Sequence, residues 1–318
     1  MKLHLNPKLF SDTLRATSEY MGINLQFVEK DYWITLVLHR MADSKYAEGT
    51  VFKGGTSLSK AYRMIDRFST DVDLAIVPNE GETGSQVRAR LRGVELGIST
   101  ELTERPTEGI SSKGSKFRRS VFEYNPIDKG HTNNTLILEV NSFANPFPFE
   151  KCSIQSMVYE FMANRDSMDL IDSNELNPFE INVLCIDQTL LEKLISLFRA
   201  SFDEDVIVGL SSKVRHFYDI YYLMQQPLCK ELVEKPEFSR RLFELFDHDR
   251  EIFDEPIGWK EKAIRESPLI VRFEEVWEAL RDQYTRELGA LAYRPIPEEK
   301  SIAEVFVDLT KSLRLNTD

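Results

Sequence analysis

The chain has 318 residues, 42% of them hydrophobic, and a formal net charge of −12. That length accommodates two globular domains, and the acidic balance excludes a general nucleic-acid coat, which would need basic surface for phosphates. Cys152, Cys185 and Cys229 form no Cys-x-x-Cys pair, so neither a zinc site nor a disulfide framework is indicated. No apolar run approaches a membrane span and no signal peptide opens the chain, which reads as a cytoplasmic protein without a membrane partner.

Asn6-Pro7 predicts a helix start, with proline at the first helical position, and Gly22 its end. A second helix, 26–41, carries Phe27, Tyr32, Trp33, Leu36 and Val37 at core spacing. Its Glu29-Lys30-Asp31 run reads as a solvated face in preference to site residues. Val51-Phe52-Lys53 then ends a short strand, and Gly54-Gly55-Thr56-Ser57 turns the chain sharply. Leu58, Ala61, Tyr62 and Ile65 have the spacing of a short helix over 58–65. A strand follows over 71–77, by its alternation and β-branched content.

The chemistry of this stretch follows from strand geometry. Side chains alternate faces along a strand, so Asp71 and Asp73 project to the same side. Two such carboxylates repel unless a cation sits between them. Mg²⁺ suits that pair, because it takes one or two protein carboxylates and completes its shell with phosphate oxygens. The Gly54-Gly55-Thr56-Ser57 turn opens a helix whose free N–H groups attract an anion, and glycine lets a phosphate approach the backbone. Lys60 lies about one helical turn further and adds positive charge. Together these parts make a phosphoryl or nucleotidyl transfer site. The chain contains no Gly-x-x-x-x-Gly-Lys-Ser/Thr loop.

Beyond it, 78–84 is a polar loop, a helix covers 86–96, and 98–114 is poor in apolar residues and reads as mobile. Strands are expected over 116–124 and 136–141 as an antiparallel hairpin across the turn-rich 125–134. Between Gln86 and Arg119 stand eight basic residues and four acids, a local +4 in an acidic protein. Two readings of it stand: an RNA-contacting face using Arg88, Arg92, Lys113, Lys116, Arg118 and Arg119, or a solvated face. Strands are expected again over 153–162 and 181–186. Asp187 then caps a helix over 188–200, and the pattern stays helical to the end, with further helices over 237–248, 270–287 and 302–313. The fold expected is α/β, a mixed sheet with flanking helices over 1–186, followed by an all-helical domain over 187–318.

The order of these motifs resembles the nucleotidyltransferase superfamily: Gly-Gly, a short helix, then Asp-x-Asp on the next strand. Lys53-Gly54-Gly55-Thr56-Ser57-Leu58-Ser59-Lys60 followed by Arg67-x-Ser69-x-Asp71-x-Asp73-Leu74 is similar, more narrowly, to the AbiEii/AbiGii toxin family of abortive-infection and toxin–antitoxin systems. Glu29-Lys30-Asp31-Tyr32-Trp33 and Arg215-His216-x-x-Asp219-Ile220-Tyr221 resemble that family's flanks. The resemblance implies a nucleotidyltransferase-type sheet, with the helical domain completing an active-site cleft. It implies Mg²⁺ (or Mn²⁺) on Asp71 and Asp73, with Glu139 as a third metal acid, and an NTP held by Gly54, Gly55, Thr56, Ser57, Lys60 and Arg67. It further implies catalytic roles for Lys193, which would neutralise phosphate charge, and for Asp219, which would orient that lysine or activate the attacking hydroxyl. The acceptor implied is the tRNA 3′ end, and the partner a cognate antitoxin. Two alternatives remain open: a small-molecule or protein acceptor, and an inactive binding module of the same fold.

Overall fold

The computed structural model describes residues 1–69, 71–128 and 134–314. Its residues group into two compact units, one of Met1–Arg63 with Phe68–Leu184, the other of Met64–Arg67 with Cys185–Asp318. The chain therefore passes into the second unit at 185, two residues before the expected start at 187, and also makes an earlier excursion into it at 64–67.

The first unit opens with α1 (Pro7–Met21) and α2 (Leu25–Ala42). Asn6 and Asn24 cap them by accepting from the amides of Leu9 and Gln26, and Gly22 ends α1 in the left-handed conformation at φ 66°. Next come β1 (Thr50–Lys53), α3 (Gly54–Lys60), β2 (Asp71–Ile76) and α4 (Gly84–Ile98). The strands β3 (Thr103–Glu104), β4 (Ser112–Lys113), β5 (Phe117–Glu123), β6 (Thr135–Asn141) and β7 (Phe149–Ile154) follow. Then come α5 (Met157–Ala163), α6 (Met168–Ser173) and β8 (Phe179–Leu184).

The strands form one mixed sheet in the order β3-β5-β6-β2-β1-β8-β7, with β4 also on β5. Pairing is parallel between β2 and β6 and between β1 and β8, and antiparallel elsewhere. The stretch 98–114 is thus tied to the sheet by β3 and β4, contrary to its expected mobility. The turn-rich segment between β5 and β6 lies in part outside the described residues. Along β2, Val72 and Leu74 are buried while Asp71 and Asp73 are half-buried, so one face joins the core and the other carries the carboxylates.

α2 is the central helix of this unit. Every residue from Val28 to Leu38 is buried, so the helix is covered all round rather than along one stripe. The solvated face expected for Glu29-Lys30-Asp31 does not exist: these residues are 2%, 3% and 5% exposed. Two element boundaries also differ from expectation. α3 begins at the glycines and stops at Lys60, and Arg63 takes a positive φ of 52° that no helix can continue through. The strand expected over 153–162 divides instead. β7 ends at Ile154, and the Ser156 hydroxyl caps α5 by accepting from the Tyr159 amide at 3.0 Å.

The second unit contains α7 (Ile186–Ala200), α8 (Val206–Ser211), α9 (Val214–Leu223), α10 (Pro227–Val233), α11 (Pro236–Ile252), α12 (Pro268–Val271), α13 (Phe273–Leu291) and α14 (Glu299–Ser312). Asp187 lies within the first turn of α7 instead of capping it, and binds Arg241 at 2.7 Å. Phe217 of α9, Phe273 and Trp277 of α13, and Phe306 of α14 interlock at ring-centroid distances of 4.9–6.3 Å. This aromatic cluster locks three helices together. The segment 64–67 is stitched to the same unit, with the Asp66 carbonyl accepting from the Tyr293 amide and the Ile65 carbonyl from the Tyr293 hydroxyl. Among the described residues no helix is long and apolar enough to cross a membrane.

Arg118 does not face solvent. It is buried on β5 and grips Glu95 of α4 through Nε at 2.6 Å and Nη2 at 2.5 Å, and the Ser120 hydroxyl also donates to Glu95. Replacing Arg118 with methionine leaves a buried carboxylate unpaired and should cost about 3–5 kcal/mol in urea unfolding. Adding Glu95→Leu should recover much of that loss, because no uncompensated charge then remains.

Candidate active site

β1, α3 and β2 build the centre of the first unit. Lys53 ends β1 directly opposite Asp73 of β2. Asp73 in turn lies beside Glu139 of β6, and Glu139 lies opposite Arg119 of β5. A row of charges thus crosses four neighbouring strands on one half-buried face, two carboxylates flanked by two cations. Asp71 lies two residues from Asp73 on that same face.

Gly54 fixes how the turn meets this row. Its φ is +80°, and a Cβ placed there would fall 2.2 Å from Asp73 Oδ2. Only glycine admits both the backbone conformation and the close approach of the carboxylate. The hydroxyl of Thr56 donates to the Asp71 carbonyl, tying the start of α3 to β2. Ser57, fully buried, donates to the Gly54 carbonyl at 2.8 Å. Both hydroxyls thus hold the turn together, which leaves the first-turn backbone amides as its anion-binding groups.

Asp71 and Asp73 could hold a hard divalent cation whose remaining ligands come from phosphate and water. Glu139 does not join them in a preformed cage. It stands 3.8 Å from Arg119 Nε, and among the described residues no three Asp, Glu, His or Cys side chains are grouped to hold a metal.

Three charged residues of α2 expected on a solvated face are buried instead, and two of them, Lys30 and Asp31, interact with this centre. Burial pushes the Lys30 ammonium down to about 8, partly opposed by the negative charge of Asp71. The Glu29 carboxylate accepts from the Ile127 amide at 2.8 Å. Asp31 accepts from Lys60 Nζ at 2.7 Å and from the Met157 amide at 2.8 Å. Lys60 was expected at the nucleotide; its ammonium is instead buried between Asp31 and the Gln155 carbonyl, at 2.7 Å from each. The signal missed was the unbroken apolar run that follows, Tyr32 to Leu38 with Thr35 its one polar member, which leaves no polar face for three charges to extend.

The second unit holds a separate buried cluster. Arg67 binds Asp219 bidentately, Nε to Oδ1 and Nη2 to Oδ2, each at 2.7 Å. Lys193 Nζ reaches Asp219 Oδ2 at 2.6 Å. Burial pushes the Asp219 carboxyl up, but Arg67 and Lys193 more than offset it and hold the group well below the ordinary carboxylate range. A carboxylate so stabilised is a poor proton acceptor at neutral pH and a good orienter of its two cations. With two cations and one anion the cluster carries a net positive charge. His216 stays neutral beside it, because burial and the charges of Lys193 and Lys213 lower its pKa well below the usual value.

The basic segment is less available than its composition implied. Besides Arg118, Arg105 pairs with Glu123, Lys113 with Glu104, and Arg119 with Glu139. Arg88, Arg92 and Lys116 are exposed and make no ion pair among the described residues.

Comparison with known proteins decides the family. The model of the AbiEii nucleotidyl transferase toxin family, of type IV toxin–antitoxin systems, matches residues 36–306. The chain belongs to that family. It is a nucleotidyltransferase. MenT4, a nucleotidyltransferase toxin from Mycobacterium tuberculosis H37Rv, shares the fold at 17% identity, with a TM-score of 0.58 over 96% of this chain and 90% of that one. JHP933 from Helicobacter pylori aligns over 84% of this chain and 98% of its own at 16% identity, with a TM-score of 0.38. No curated protein sequence matches.

Two outcomes are expected from this geometry. Gly54→Ala should displace Asp73 and lower nucleotide transfer at least tenfold while circular dichroism shows an intact fold, since both the φ and the contact forbid a methyl group. Lys30→Met should raise stability. Because the folded-state pKa is depressed below the unfolded value, the ammonium opposes folding at neutral pH by roughly 3 kcal/mol. That cost falls away as pH rises from about 8 towards 10, so the stabilisation by methionine, read from urea unfolding, should shrink over the same range.

Proposed function

We propose that this AbiEii-family enzyme transfers a nucleotide from an NTP to an RNA acceptor, the 3′ end of a tRNA, and so arrests growth or aborts phage infection. The observation that carries the reading is the contact of the Asp73 carboxylate with the Gly54 backbone, which sets a metal-binding group against the turn that would hold phosphates. Asp71 and Asp73 would hold Mg²⁺ or Mn²⁺, which supplies charge neutralisation between the phosphates. The amides at Gly54, Gly55 and Thr56 would cradle the outer phosphates. Lys53 and Lys30 add positive charge to the same unit, Lys53 opposite Asp73 and Lys30 in electrostatic contact with Asp71. A hydroxyl oxygen of the acceptor attacks the α-phosphorus, its bond to the bridging oxygen of pyrophosphate breaks, and the hydroxyl proton passes to solvent. Lys193 and Arg67, fixed by Asp219, form a cationic cluster within the second unit, for which the family resemblance implies a phosphate-neutralising role.

RNA is favoured over a small acceptor by the exposed cations Arg88, Arg92 and Lys116. A cognate antitoxin protein, as the family's type IV systems imply, would restrain the activity.

The test incubates the protein with total tRNA, Mg²⁺ and each labelled NTP in turn. Label should enter tRNA from at least one NTP, and Asp73→Ala should abolish it. Changing Arg88, Arg92 and Lys116 together to serine should weaken tRNA binding and reduce its salt slope by roughly 2 to 3. Label appearing only in protein or in a small molecule would replace the RNA reading, and no transfer at all would leave a binding module.

A further inference from the structure

The seven residues of α3 are anchored at both ends, and the anchor at the far end is ionic. Lys60, the last residue of the helix, is 9% exposed, and Asp31 of α2 is 5% exposed. The Lys60 ammonium donates to Asp31 Oδ1 and to the Gln155 carbonyl, both at 2.7 Å. The other Asp31 oxygen accepts from the Met157 amide at 2.8 Å. One buried ion pair thus joins α2, α3 and the connection between β7 and α5. At the near end the Thr56 hydroxyl holds the turn to the Asp71 carbonyl.

We propose that Asp31 and Lys60 are positioning residues for nucleotide binding: their buried ion pair sets where α3 sits, and thereby where the amides of Gly54–Thr56 point. This rests on the phosphate-binding reading of that turn. A helix of this length is a rigid rod about 10 Å long, so a shift at Lys60 is transmitted to the turn. Lys60 itself does not touch the nucleotide, since its ammonium already serves two oxygens inside the protein. Ion pairs in the interior often contribute little net stability over apolar residues of equal size, and one attested use is enforcing a single arrangement. Two buried charges beneath a catalytic turn fit that use.

The test measures binding of a Mg²⁺-bound α,β-methylene NTP analogue by calorimetry, below the unfolding temperature of every variant. Asp31→Asn, Lys60→Met and the double variant are compared with the wild type, and circular dichroism reports the folded fraction. Each single change should weaken binding at least tenfold, and the double variant should be no weaker than either, because one interaction has been removed in all three. If the single variants fail to fold, the double variant decides, since it buries no unpaired charge. Wild-type affinity in the folded double variant would overturn the positioning role. So would an Asp31→Asn protein that binds as tightly as wild type while Lys60→Met binds weakly, the signature of a lysine that contacts phosphate directly. Gly55→Val separates this failure from that of the underlying reading. If the valine variant binds the analogue normally, the turn holds no phosphate and the proposal falls with it. If it loses binding while the double variant keeps it, the positioning role alone is overturned.

Discussion

The contact between the Gly54 backbone and the Asp73 carboxylate is the constraint on which the centre of the first unit depends. It exists because β1 and β2 are antiparallel neighbours with Lys53 opposite Asp73, so the chain leaving β1 must pass under the second aspartate. A left-handed residue at that point lets α3 begin at once. The consequence is chemical, for a group able to bind a cation and a set of amides able to bind an anion are brought together by one residue's missing side chain.

Charge burial recurs throughout the molecule and follows one rule. Asp31 with Lys60, Glu95 with Arg118, and Asp219 with Arg67 and Lys193 are all compensated at hydrogen-bonding distance. A buried pair of this kind is expensive to break from one side and often cheap to replace from both. Geometrically, each fixes a direction: Asp31 holds the end of α3, and Asp219 holds the Lys193 ammonium on one oxygen. Lys30 is also buried, and the charge of Asp71 offsets only part of the cost of that burial. A destabilising cation kept beside an aspartate of the candidate metal pair is understandable where phosphates must be bound.

In the helical unit, Asp219 gains its strongly depressed pKa from two cations in spite of complete burial. Such a carboxylate is a poor proton acceptor near neutrality, and both its oxygens are held, Oδ1 by Arg67 and Oδ2 by Arg67 and Lys193. The affiliation of Arg67 with this unit, when Asp71 four residues later belongs to the other, comes from the 64–67 excursion.

The sequence by itself determined the strand–turn–helix–strand order, the shared face of Asp71 and Asp73, the hairpin of β5 and β6, and the change to a helical second unit. These follow from periodicity of two or 3.6 and from glycine's conformational range, which are local properties. The family, too, was legible in that motif order. Only the tertiary structure decided which charges are spent inside the protein. Asp31 and Lys60 lie 29 positions apart, Glu95 and Arg118 lie 23, and Arg67 and Asp219 lie 152. No local pattern encodes such pairings, so Lys60 read as a nucleotide ligand, Arg118 as an RNA contact and Glu29-Lys30-Asp31 as a wet helix face. A charged side chain has the same sequence signature whether it meets water or a partner, and the fold alone supplies the partner.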